Sequence, residues 1–139
     1  MRDRFPNPYT RADALAWIAL NEGKKPAENM AIVVDGAACG GIGLMLGTDI
    51  ERVESEIGYW LGRRYWGRGI ATDAVRAMAA YAFDAFALER IFAKAFAHNA
   101  GSQRVLEKAG FVREALLRRS AIKDGVVTDQ TLYAKLRSS

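Results

Sequence analysis

The chain is poor in three residue types: one cysteine, one histidine and three prolines stand among 139 residues. With Cys39 as its single thiol, no disulfide can form within the chain, and a reducing compartment is expected. Cys39 lies in a small, apolar run, AACGGIGLML, where a buried structural thiol is a simpler reading than a nucleophile. No stretch approaches the roughly 18 apolar residues of a membrane span, and no signal peptide is visible. These absences predict a soluble, cytoplasmic protein with no membrane partner and no metal site. What is present suits one folded domain over residues 1–139, since half of the residues are hydrophobic. The net charge of +4 is unevenly spread: residues 1–60 carry nine acidic against six basic side chains, and residues 61–139 carry seven against fourteen. A basic half suits an anionic ligand and an acidic half a cationic one, although solvated faces also produce such asymmetry.

Periodicity gives the order of elements. Thr10 followed by RADALAWIAL predicts a helix, with Asp13 in the capping-box position and Ala14, Leu15, Ile18 and Ala19 as its apolar stripe. The polar stretch NEGKKPA (21–27) ends it. MAIVVDG predicts a strand closing on an Asp35-Gly36 hairpin turn, and Ala37–Leu46 a second strand carrying Gly40, Gly41 and Gly43. A third strand runs from Glu56 to about Leu61. A helix from Thr72 to about Phe86 places Ala74, Val75, Met78, Ala82 and Phe83 on one face, with Asp73, Arg76 and Asp84 elsewhere on the wheel. A strand over 89–97 follows, then a helix from Asn99 to Ala109 closed by Gly110. FVREALLRR and VVTDQTLYAKL are two closing strands around Lys123-Asp124-Gly125. The order α-ββ-β-α-β-α-ββ predicts an α/β (α+β) fold with a mixed, mostly antiparallel sheet and helices on its faces.

The segment RYWGRGIAT (64–72) sits between a strand and a helix. A nucleoside-triphosphatase loop would need GxxxxGK[ST], and the lysine is missing. Gly67-Arg68-Gly69-Ile70-Ala71-Thr72 falls one residue short of GxGxxG, but a dinucleotide fold would begin with this unit and carry an acidic residue about twenty positions on. Some sixty residues precede it here, and Glu89 begins its strand rather than ending it. The third pattern, [Q/R]xxGx[G/A], is matched by Arg64-Tyr65-Trp66-Gly67-Arg68-Gly69. Glycines let a diphosphate approach backbone N–H groups, and the first turn of a helix supplies N–H groups without intrahelical partners. A helix end contributes only about 0.3–1 kcal/mol, about 2 when partly buried. Arg64, Arg68 and the Thr72 hydroxyl would add to it. A plain glycine turn that fits a helix onto a sheet is the alternative.

EIGYWLGRRYWGRGIATDAV and FAHNAGSQRVLEKAGFVREALLRR resemble the GNAT acetyltransferases, most closely the branch typified by the RimJ/RimL ribosomal-protein N-terminal acetyltransferases. The resemblance runs from about Arg4, where RFPNPYTRADA is similar to that branch's PYT segment, to the C-terminus. It implies transfer of the acetyl group of acetyl-CoA, as co-substrate, to a primary amine on a protein N-terminus or a small molecule, by direct attack in a ternary complex. It implies a GNAT-like sheet with helices on both faces, and a V-shaped cleft where strand 56–61 splays from strand 89–97. Backbone groups near Trp60 and Leu61 would hold the pantetheine arm. N–H groups of Gly67, Arg68, Gly69, Ile70 and Ala71 would take the diphosphate, beside Arg64, Trp66 and Thr72. Asn99 and Ser102, in the NxxSxxVLEKxGF motif, would face the amide and thioester. Lys108 would lie near the adenosine 3′-phosphate, or simply be a solvated helix lysine.

The sequence departs from the family pattern twice. Many members carry a Tyr as the acid for the leaving thiolate where this chain has Leu106, which leaves Ser102 as the substitute. A thiol with a pKa of about 8.5 leaves readily, so a weak donor suffices. The family's usual first strand and helix also precede the point where this sequence begins. A naturally shortened member, a truncated reading and a sheet completed by another chain are the alternatives. Because a missing strand would leave a bare sheet edge, a homodimer is one expectation. For the base, Glu56 is the first choice, with Glu54, Glu114 and Asp129 as alternatives; a surface or structural carboxylate is the simpler reading of each. The lone His98, at a strand end, reads as structural. Nucleic acid is an unsuitable partner, because the arginines are dispersed without a stripe or a stacking-strand motif. A non-catalytic acyl-CoA-binding sensor is the alternative function.

Overall fold

The computed structural model describes residues 16–20, as backbone, and 28–138. Its strands are β1 (Ala16–Leu20), β2 (Asn29–Val34), β3 (Ala37–Leu46), β4 (Glu54–Leu61), β5 (Arg90–Phe96), β6 (Val112–Lys123) and β7 (Val126–Leu136); its helices are α1 (Ile70–Ala85) and α2 (Ala100–Lys108). They form one seven-stranded sheet in the order β1-β2-β3-β4-β5-β7-β6. Every neighbouring pair is antiparallel except β4 and β5. The mixed, mostly antiparallel α/β architecture is the one expected.

Local chemistry accounts for most boundaries. Asp35 and Gly36 both adopt positive φ, 51° and 82°, as a tight hairpin turn between β2 and β3 demands. Asp124 and Gly125 repeat that solution, at 52° and 78°, between β6 and β7. Asn99 caps α2 through its side-chain oxygen, which accepts from the Ser102 N–H at 3.0 Å. Gly110, at φ 96°, carries the chain out of that helix.

Alternation sorts the sheet's two faces. Met30, Ile32, Val34, Ile42, Leu44, Ser55, Ile57, Ile91, Ala93 and Tyr133 are buried on one face, against Ala74, Val75, Met78 and Ala82 of α1 and Leu106 of α2. The two helices touch: Arg76 of α1 donates to the Lys108 carbonyl of α2 at 2.7 Å. Both therefore lie on the same face, and no helix covers the other face among the described residues.

Two expectations are corrected. Residues 16–20, expected as the end of a helix, form β1, which pairs with β2 from Ala16↔Val34 to Leu20↔Met30. A five-residue apolar run, AWIAL, is equally compatible with a buried strand, and the open edge of β2 decides between the two. The chain's own β1 thus covers the edge of β2 and is itself the terminal strand of the sheet. The proposed cap at Thr10, the Arg4 segment and the 21–27 break lie outside the described residues. Asp73, placed off the buried face of α1, is in fact 2% exposed, with Arg76 at 3.5 Å. Among the described residues no helix is long and apolar enough to cross a membrane.

Candidate active site

The parallel pairing of β4 and β5 is short. It runs from Glu54↔Arg90 to Glu56↔Phe92 and stops, while β4 continues to Leu61 and β5 to Phe96. Beyond Glu56 the strands part into a V. On its other edge β4 stays paired with β3 as far as Leu61↔Gly40. Gly41 gives Trp60 its place: a Cβ on Gly41 would stand 2.8 Å from the indole Nε1. Trp60 itself is 65% exposed. The Leu61 carbonyl accepts from Trp66 Nε1 at 2.7 Å.

From Leu61 the chain turns through a 3-10 turn at Arg63–Tyr65 into the glycine segment. Gly67 and Gly69 have φ of 77° and 78°, in the left-handed region that glycine alone enters without strain. A Cβ on Gly67 would meet no atom within 4 Å, so the space before this backbone is open. Gly69 starts α1, and the first N–H paired along the helix is that of Asp73, bonded to the Gly69 carbonyl at 3.0 Å. The N–H groups of Ile70, Ala71 and Thr72 precede it and have no intrahelical acceptor. The loop's positive charge is held locally: Arg64 and Arg68 lie over the Tyr65 ring at 5.7 and 5.5 Å, and Arg63 lies over Trp66 at 5.5 Å. Arg68 also draws down the Cys39 thiol, although burial prevails and raises it. The open, glycine-bounded backbone with its unpaired N–H groups and flanking guanidiniums fits a diphosphate. Lys108 closes α2, and its carbonyl is tied to Arg76, one turn past Thr72.

The second arm of the V leads into α2. Ser102 lies in the first turn of α2, its N–H fixed by Asn99. Its hydroxyl is 3.0 Å from that of Tyr59 on β4, a contact that spans the two arms of the cleft. Burial raises the Tyr59 pKa, and the Ser102 hydrogen bond partly offsets that. Leu106, one turn further along α2, is 1% exposed and belongs to the core.

The candidate bases separate clearly. Arg90 reaches Glu54 at 3.0 Å and a Glu114 carboxylate oxygen at 2.8 Å. The Arg90 hydrogen bond holds the Glu114 carboxyl below its usual range. Asp129 accepts from the Arg119 N–H at 2.8 Å, where Arg119 turns through φ 53° in a bulge of β6. All three carboxylates are thus engaged in holding the sheet. Glu56, at the apex of the V, makes no ion pair or hydrogen bond with its carboxylate among the described residues. Alternation places it with Glu54 on the face away from the helices, opposite Tyr59. His98 stacks on Phe96 with ring centroids 5.6 Å apart. Among the described residues no cluster of His, Cys, Asp or Glu could hold a metal.

The structure therefore brings Tyr59 and Ser102 together across the V, with Glu56 at its apex on the opposite face of β4 and the glycine segment beyond the end of that strand. The sequence reading missed the reach of Tyr59. Its signal was available: Tyr59 falls in step with Ser55 and Ile57, on the helix-facing side, and is the one member of that series with an acidic hydroxyl at its tip.

The family model for the acetyltransferase (GNAT) domain matches residues 1–112. The chain belongs to the GNAT acetyltransferase family. Its similarity extends to YjcK of Bacillus subtilis, by name a probable N-acetyltransferase, at 45% identity over 58% of this chain and 44% of that protein. The ribosomal-protein-serine acetyltransferase of Escherichia coli is 31% identical over 61% of this chain and 48% of that one. The chain spans about half the length of these curated relatives. Among solved structures, RimJ of Mycobacterium smegmatis in complex with CoA-disulfide superposes with a TM-score of 0.70 at 32% identity, over 78% of this chain and 53% of that one. The microcin C7 self-immunity acetyltransferase MccE, solved with acetyl-CoA and AMP, gives 0.70 at 28% identity, over 78% and 61%. The resemblance to the RimJ/RimL branch holds.

Proposed function

We propose that this protein binds acetyl-CoA and transfers its acetyl group to a primary amine while both substrates are bound. The observation that carries this reading is the junction of two features: an open backbone of unpaired N–H groups at the start of α1, and a V in the sheet beside it. The loop from Gly67 to Thr72, with Arg64 and Arg68, would hold the diphosphate; the free edge of β4 would align the pantetheine arm. The bound thioester would supply an activated acyl group. Glu56 would take the proton that the attacking amine sheds, directly or through one water. Ser102 would donate toward the leaving sulfur. Membership in the family and the acetyl-CoA found in the MccE structure support the co-substrate.

For the acceptor, a chain N-terminus is the favoured class. An α-amine with a pKa of about 7.7–8.0 is partly neutral near pH 7.5, whereas a lysine amine near 10.4 stays almost wholly protonated. A single carboxylate base is sufficient for the former. The ribosomal-protein relative points to the same class. A small-molecule amine is the second option.

A non-catalytic acyl-CoA sensor is the second reading, and the core position of Leu106 favours it, since no phenol stands at that site of α2. Incubation with acetyl-CoA and a panel of peptides and small amines, with released thiol measured, separates the two. Acceptor-dependent thiol release supports the transferase. Tight coenzyme A binding without turnover on any acceptor supports the sensor, and no binding at all removes both.

A further inference from the structure

Ser102 is a poor acid on its own. An alcohol holds its proton more tightly than a thiol or a phenol, so it can give a proton to a leaving sulfur only if another group replaces it in the same event. The hydroxyl 3.0 Å away belongs to Tyr59. Two facts fix the geometry of this pair. The Asn99 side chain holds the Ser102 N–H at 3.0 Å, which anchors the residue at the head of α2. Tyr59 projects from β4 on the helix-facing side, so its ring is set by the sheet and only its tip reaches the cleft. A serine hydroxyl carries one proton and two lone pairs. When Tyr59 donates to it, the serine proton is released to point elsewhere.

Among the described residues, no other phenol beside α2 is free to take this part. The stretch that forms α2, AGSQRVLEK, has no tyrosine. Tyr133, the other tyrosine beside α2, donates to the Glu107 carboxylate at 2.8 Å, and burial with that anion raises its pKa.

We propose that Tyr59 is a positioning residue that orients the Ser102 hydroxyl and replenishes its proton, forming a two-hydroxyl relay from β4 to the leaving sulfur. The proposal rests on the acetyltransferase reading above. As the bond from the amine nitrogen to the acyl carbon forms, the carbon–sulfur bond breaks and its electron pair goes to sulfur. Sulfur takes the Ser102 proton, and Ser102 takes the Tyr59 proton. The phenolate regains a proton from solvent, while the proton shed by the amine leaves through Glu56. The balance is one amine and one thioester giving one amide and one thiol. The relay would do from the strand what a tyrosine at position 106 would do from the helix.

The test uses the full chain, acetyl-CoA and an acceptor peptide on which the wild type turns over. Tyr59→Phe retains the ring and should lower kcat by about ten- to a hundredfold, toward the lower part of the general-acid range. The KM for acetyl-CoA and the heat of coenzyme A binding should not change. Ser102→Ala with Tyr59→Phe together should be no slower than the slower single variant. The proton inventory in mixtures of light and heavy water should curve for the wild type, with two protons in flight, and become linear in either single variant; Ser102→Ala alone provides this readout if Tyr59→Phe folds poorly. A wild-type kcat in Tyr59→Phe, losses that multiply in the double variant, or an inventory that stays curved in the single variants overturns the relay alone. A wild type that binds coenzyme A without turnover, or does not bind it, overturns the transferase reading and the relay with it.

Discussion

Gly67→Ala separates what the glycine does for the backbone from what it does for a ligand. Gly67 sits at φ 77°, and an added Cβ would meet nothing within 4 Å. The folded protein therefore suffers no clash, only the left-handed strain of an L-residue, about 1–2 kcal/mol. For a chain of this size that corresponds to a fall in Tm of about 3–8 °C. The effect on coenzyme A should be larger, because the new methyl group enters the open space before the N–H groups. Hydrogen bonds to charged groups contribute about 1.5–3 kcal/mol each, so loss of one should weaken binding by about ten- to a hundredfold. Gly125→Ala is the matched control. Its φ is 78° and it too has nothing within 4 Å, but it lies in the β6–β7 turn. Differential scanning calorimetry should give the two variants similar Tm losses. Titration calorimetry should show a loss of coenzyme A binding only for Gly67→Ala, and unchanged binding of pantetheine, which lacks the diphosphate, in both. If coenzyme A binds equally to the two variants, the loop is a structural turn and the diphosphate reading fails.

Glu56→Gln should lower kcat by about a hundredfold or more and remove the acid limb of the pH–rate profile, without moving the urea midpoint, since its carboxylate ties nothing among the described residues; an unchanged profile rules it out as the base. Asn99→Ala should destabilise the protein by about 1 kcal/mol through loss of the α2 cap, read as a lower urea midpoint at constant slope. The Arg90 hydrogen bond lowers the Glu114 pKa from its ordinary value. Its stabilisation is therefore present above about pH 4.5 and lost as pH falls through the depressed value. Glu114→Gln should flatten the acid limb of the stability profile, and 1 M salt should partly mimic it, because this pair is partly exposed; an identical acid limb with and without the carboxylate would contradict this.

Where each signal lies in the chain explains what could be read without the fold. The β2–β3 and β6–β7 turns, the Asn99 cap, the Gly110 exit and the glycine segment before α1 all depend on contacts within a few residues, and each is legible in the sequence. So is the α1 stripe of Val75, Met78 and Ala82. Local pattern failed where two local answers were equally good: AWIAL at 16–20 suits a helix or a strand, and only the unpaired side of β2 selects the strand. It failed also at Asp73, a carboxylate that looks solvent-facing until Arg76 and the surrounding chain bury it.

By itself the sequence determined that a glycine-opened turn leads into a helix, and that the flanking motifs are those of the GNAT family. The tertiary structure alone decided that β4 and β5 part after Glu56, that Arg90 engages Glu54 and Glu114 while Asp129 holds a bulge, and that Tyr59 meets Ser102 across 43 residues of chain. The physical reason is that turns, caps and helix starts are settled by hydrogen bonds between near neighbours. Which carboxylate stays free and which hydroxyls meet depends on how distant segments pack.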